Sequence, residues 1–161
     1  MTYRALVITY IRVVMNTSGL IRTIALCLSF LVTACVTTPS PDEMKRIAEK
    51  NRWELAKWGD RAVPYGDDGE PVVVGFQEGK VLGHAGCNRY AAGVSFGPRP
   101  GDVRISQGTT TRMACEPRHM QFETAFIHAF EASTHYRLDG EILSLVSDVA
   151  PPLEFYRRPL E

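Results

Sequence analysis

The chain has 161 residues, 45% of them apolar and 22% charged, a composition that fits one globular domain and excludes global disorder. Eighteen Lys and Arg balance eighteen Asp and Glu, so the dense basic surface that a nucleic-acid binder needs is missing. The length excludes a polytopic transporter, and no self-similar period of about 20–50 residues is visible.

The amino end reads as an export signal covering residues 1–34. After Arg22 comes an uncharged stretch from Thr23 to Ala34. It is shorter than the roughly 20 residues that span a hydrocarbon core, but it suits a signal-peptide apolar region. It ends in Val32-Thr33-Ala34-Cys35, which closely resembles the bacterial lipoprotein signal. That resemblance implies cleavage before Cys35, a diacylglycerol thioether on its sulfur and acylation of its new amino group. Two or more chains make a stable membrane anchor, since each buried methylene contributes about 0.8 kcal/mol and a single chain is marginal. The sorting rule known for such lipoproteins, with Val36 in place of Asp, favours the outer membrane on its periplasmic side. Arg4 and Arg12 interrupt the residues before Met15, and a start at Met15 gives a more compact signal. Loss of residues 1–34 removes three arginines and leaves fifteen basic against eighteen acidic groups. Mild acidity gives no reason to expect nucleic acid or an anionic membrane surface as a partner.

Residues 35–52 read as a tether with a short helix. Ser40-Pro41-Asp42-Glu43 is a capping box with Pro at the first helical position, and Met44, Ile47 and Ala48 share a face. The helix over 41–50 is expected either to pack on the domain or to stiffen the tether. The domain proper is expected over 53–158. Trp53 and Leu55 alternate as in a strand, and a loop from Gly59 to Gly69 follows. Val72 to Phe76 is β-branched and aromatic, and Val81 to Cys87 is its hairpin partner across Glu78-Gly79-Lys80. Short strands are expected at 94–96 and 103–105, separated by Gly97-Pro98-Arg99-Pro100-Gly101.

The one strong helical period lies between Pro117 and Ser133, where Phe122, Phe126, Ala129 and Phe130 form a single apolar stripe aimed at a core. Asp139-Gly140 signals a type I′ turn between strands at 136–138 and 142–146, and a last strand runs from Leu153 to Tyr156. The expected fold is α+β. A single antiparallel sheet or partly open barrel of about seven strands carries one main covering helix.

Two words stand out: Gly83-His84-Ala85-Gly86-Cys87-Asn88-Arg89-Tyr90 and Thr111-Arg112-Met113-Ala114-Cys115. With Trp53-Glu54-Leu55, Phe76, Glu123 and Phe126, Leu143-Ser144-Leu145 and Leu153-Glu154-Phe155, they resemble the META domain family of HslJ-like bacterial lipoproteins. The likeness covers about 53–157. It implies one antiparallel β/α domain, often lipid-anchored in the bacterial envelope and associated with envelope stress and antibiotic tolerance. It implies no catalytic residues and no cofactor.

The motif residues also have a physical reading. Gly83 and Gly86 mark a close backbone approach or a bulge. Asn88 has the short side chain that bonds local backbone at a turn and tolerates positive φ. Cys87 and Cys115 are the two unmodified thiols of an exported chain, so a disulfide is the default, worth roughly 3–4 kcal/mol for a 28-residue separation. Zinc held by His84, Cys87, Cys115 and His119 is a second reading, although a regular strand points His84 and Cys87 to opposite faces. A thiol nucleophile is a third, without the flanking words of a known cysteine enzyme. Glu123 is expected to pair with Arg112 or Arg118, and Asp67 and Asp68 to lie on a loop surface. The functional expectation is a non-enzymatic envelope lipoprotein, binding an envelope protein or an apolar ligand, in a groove that a strand-rich shell with one covering helix could open for an acyl chain or a partner segment. The rival is a small periplasmic enzyme dependent on a thiol or a metal.

Overall fold

The computed structural model describes residues 38–66 and 69–160. The expected signal peptide, the expected start at Met15, the expected lipidation site at Cys35 and the pair Asp67 and Asp68 lie outside the described residues.

Helix α1 (Pro41–Glu49) begins as the sequence dictates: the Ser40 hydroxyl oxygen accepts from the Glu43 N–H at 3.3 Å, and Pro41 opens the first turn. Met44 and Ala48 are fully buried. The helix therefore packs on the domain rather than merely stiffening a tether. Strand β1 (Asn51–Trp58) follows at once and pairs with β2 (Val73–Gln77) on one side and β9 (Leu153–Pro159) on the other, both antiparallel. Its alternation buries Trp53 and Leu55. The register then slips between Leu55 and Lys57, and that bulge brings Trp58 inward when a regular strand would turn it out.

From β2 the chain runs antiparallel through β3 (Lys80–His84) and β4 (Arg89–Phe96) to β5 (Val103–Ile105), while the two-residue β6 (Thr109–Thr110) returns to pair with the start of β4. Helix α2 (Pro117–Glu131) crosses over, and β7 (His135–Asp139) and β8 (Ile142–Val146) lead into β9. The strand order is β5-β4-β3-β2-β1-β9-β8-β7. The Val103 N–H donates to the Thr134 carbonyl at 3.0 Å and the Tyr136 N–H to the Gly101 carbonyl at 2.7 Å, so β5 meets β7 and nearly closes the sheet into an eight-stranded barrel. This is the expected α+β, partly open barrel.

One turn differs from the sequence reading. The Asp139↔Ile142 pair makes Gly140-Glu141 the two-residue loop, and of these only Gly140 has positive φ, at 57°, which excludes type I′. The turn with two positive central residues is Glu78-Gly79, at 50° and 75°.

The apolar stripe of α2 enters the barrel. Phe126 and Phe130 are 1% and 0% exposed and meet Phe155 edge-on, with centroids 6.4 and 6.1 Å apart. Phe122 is only half-buried; it stacks on Phe126 and meets Trp58 edge-on at 5.7 Å. These stacked and edge-on rings pack the face of α2 that turns into the barrel.

Candidate functional site

The two motif words converge on one side of the barrel, at the turn between β3 and β4. Gly83 sits in β3 opposite Val74 and Tyr90, where a Cβ would collide with the Val73 carbonyl oxygen. Gly86, in the turn, has φ of +101°, a conformation that side chains disfavour, and the Phe122 ring lies over it. Gly83 thus marks the expected close approach within a strand, whereas Gly86 lies in the turn beyond β3 and packs under the Phe122 ring.

Cys87 and Asn88 are buried in this turn. A disulfide joins Cys87 to Cys115, with Cα atoms 5.9 Å apart. It ties the turn to the segment that precedes α2. Both sulfurs are consumed in the bond, so the thiol-nucleophile and zinc readings lose the thiolates they require.

Asn88 is the hub of a buried network. Its side-chain oxygen accepts from the Thr111 hydroxyl and from the Met113 N–H, both at 2.7 Å. Its side-chain amide donates to Glu123 Oε1 at 3.0 Å, and its backbone N–H donates to Glu123 Oε2 at 2.5 Å. Glu123, 8% exposed on α2, thus pairs with Asn88 and not with an arginine; Arg118 forms its ion pair with Glu116 at 2.7 Å. The expected local backbone role of Asn88 is replaced by this long-range one, without positive φ. Arg89 is exposed, and its backbone exchanges hydrogen bonds with Thr111. The Met113 side chain is also exposed, and only its backbone enters the network.

Tyr90 extends the arrangement. Its hydroxyl donates to Glu131 Oε1 at 3.1 Å, and the same oxygen accepts from the Gly108 N–H at 2.7 Å. Burial, followed by the Glu131 charge, pushes the Tyr90 phenol well above its ordinary value. A raised folded-state value gives stability that is complete below about pH 10 and falls as the unfolded phenol ionises above it. In urea titrations the parent is expected to lose up to about 1.4 kcal/mol per pH unit there from this group. Tyr90→Phe should lack that component, so an unchanged slope would remove the assignment.

This constellation is a staple. It has acceptors, donors and a disulfide in mutual satisfaction, and no nucleophile beside a base. Gly83, His84, Arg89, Tyr90 and Thr111 of the motif words border a shallow depression of about 800 Å³, and a second concavity opens along the flank of α2. There Trp58, Met120, Ala125, Ala129, Val149 and Ala150 line an open groove of about 590 Å³. Met120 is 43% and Val149 67% exposed. The Arg61 guanidinium lies 4.5 Å from the Trp58 ring centroid, and the buried Trp58 Nε1 has no hydrogen-bond partner among the described residues. The sequence reading missed Trp58 because only the β1 bulge turns it inward. The odd spacing of Trp53 and Trp58 was the available signal.

The family model for the META domain matches residues 45–159, most of the chain. Among solved structures, the chain is similar to an NMR structure of a protein from Burkholderia xenovorans, at 26% identity and a TM-score of 0.60 over 76% of this chain and 92% of that one. It shares its fold with a protein in a second NMR structure, at 18% identity, TM-score 0.57, and 70% and 92% coverage. The same holds for a duf4847 family protein from Bacteroides vulgatus, at 14% identity, TM-score 0.50, and 73% and 99% coverage. No curated protein matches the sequence. The matched span holds both cysteine words and the strands and helix that they staple, and the chain belongs to the META domain family.

Proposed function

We propose that this chain is a non-enzymatic lipoprotein of the bacterial envelope, anchored through Cys35 to the outer membrane and facing the periplasm. Its META domain binds an apolar segment of a partner protein along the α2 flank and so serves envelope maintenance. The anchor rests on Val32-Thr33-Ala34-Cys35. The observation that carries the binding role is the groove: Met120 and Val149 expose apolar surface beside the buried Trp58, in an open concavity of about 590 Å³. Docking an apolar segment there removes that surface from water. Among the described residues lining the groove, Arg61 carries the one fixed positive charge and none is acidic, which suits an acceptor-rich segment.

Site-specific photocrosslinking in the intact bacterium tests this reading. A benzophenone amino acid at position 120 is expected to give a discrete crosslinked species that Val149→Asp abolishes. The same probe at Leu82, exposed on β3, should not give it. The binding reading fails if position 120 gives no species, or the same species as position 82.

A further inference from the structure

We infer that the lipidated protein rests with the loop between β4 and β5 directly against the phospholipid headgroups, because its leash is too short for any other posture. The inference depends on the reading of Cys35 as the acylated residue. Among the described residues, the first backbone fastened to the barrel is Pro39, whose carbonyl accepts from the Tyr136 hydroxyl at 2.9 Å, and Tyr136 is 1% exposed. A Cβ at Gly101 would sit 3.7 Å from Thr38, and one at Gly97 3.3 Å from Pro41, so the loop flanks the entering chain closely. Unwinding α1 to lengthen the leash would expose Met44 and Ala48, both fully buried.

From Cys35 to Pro39 is four residues, which span at most about 14 Å when fully extended. The headgroup layer takes about 5–7 Å of that. What remains is narrower than a helix, whose diameter is about 10–12 Å. No helix fits between the lipid and the face around Pro39. The surface so presented is Pro98, Arg99 and Pro100, all exposed; Arg99 is bonded to Asp102 at 3.0 Å, with its side chain 80% accessible. It offers a cation to lipid phosphates. The opposite end of β4 lies about 23 Å away along the strand, and there the Arg89 carbonyl accepts from the Thr111 N–H. Residues at that end stand clear of the bilayer.

The test places an indole at each end of β4 in the full chain, produced in a bacterium that makes lipoproteins and reconstituted into phosphatidylethanolamine–phosphatidylglycerol vesicles with or without brominated acyl chains. Both substitutions, Arg99→Trp and Arg112→Trp, fall at exposed loop positions. After subtraction of the parent signal, bromine is expected to quench the indole at 99 at least about twofold more than that at 112. A Gly/Ser insert of about twenty residues between Val36 and Thr37 should erase the difference. Equal quenching in a chain whose intact mass shows acylated Cys35 overturns the docked face and leaves the anchor standing. A difference that survives the insert overturns the short leash as its cause. An unmodified Cys35 overturns the anchor, and the inference with it.

Discussion

Asn88→Ala lowers the stability of the domain by about 4 kcal/mol, read as a shifted urea midpoint with an unchanged slope. Alanine keeps the backbone N–H that reaches Glu123 Oε2 but removes four side-chain hydrogen bonds, the weakest of them to the Cys87 sulfur. The Thr111 hydroxyl is exposed and turns to water, so its loss is small. The Met113 N–H and Glu123 Oε1 are left in a part-buried site, and each orphaned group costs about 1–3 kcal/mol, the charged one at the upper end. Asn88→Asp separates this account from simple packing. It keeps the volume and both acceptors but sets a second carboxylate against Glu123. At pH 7 it should be at least as damaging as alanine, and it should recover as pH falls toward 4, when one of the two carboxylates takes up a proton. An alanine variant within about 1 kcal/mol of the parent, or an aspartate variant that ignores pH, contradicts the network.

The sequence disclosed this hub unevenly, and for physical reasons. The helix stripe was legible because Phe126, Ala129 and Phe130 repeat at the period of a helix and face a core. Helix α1 announced itself through Ser40 and Pro41. The importance of Asn88 was legible as part of a family word, but its partner was not. A carboxylate bonded to a backbone N–H leaves no complementary charge to search for, so Glu123 was matched to arginines. Strand β4 was read as starting at Val94 because Arg89-Tyr90-Ala91-Ala92 is poor in β-branched residues; pairing with β3, and at its first residues with β6, holds those residues extended. Strand β6 has two residues and no pattern to read. Trp58, which carries the open groove, was hidden by a one-residue bulge that inverts facing without altering composition.

Replacing both Cys87 and Cys115 with alanine is expected to lower stability by about 3–4 kcal/mol, the chain-entropy value for a 28-residue separation. The more telling result is how that loss combines with the loss of Asn88. The disulfide and the Asn88 side chain fasten the same stretch of chain to the same turn, one through Cys115 and the other through Thr111 and Met113. Once either tie is cut, the segment is freer to leave, and the remaining tie then restrains less of the native structure. The Cys87→Ala, Cys115→Ala and Asn88→Ala triple variant should therefore be more stable than the summed losses imply, by about 1–2 kcal/mol. Urea unfolding of the parent, the cysteine pair variant, the asparagine variant and the triple variant measures that coupling in one cycle. Agreement with simple addition to within about 0.5 kcal/mol would mean that the two ties act on independent parts of the chain. Alkylation under native, non-reducing conditions supplies the control: if both Cys87 and Cys115 of the native protein react, the cross-link is absent there, and the Asn88 network alone holds the segment down.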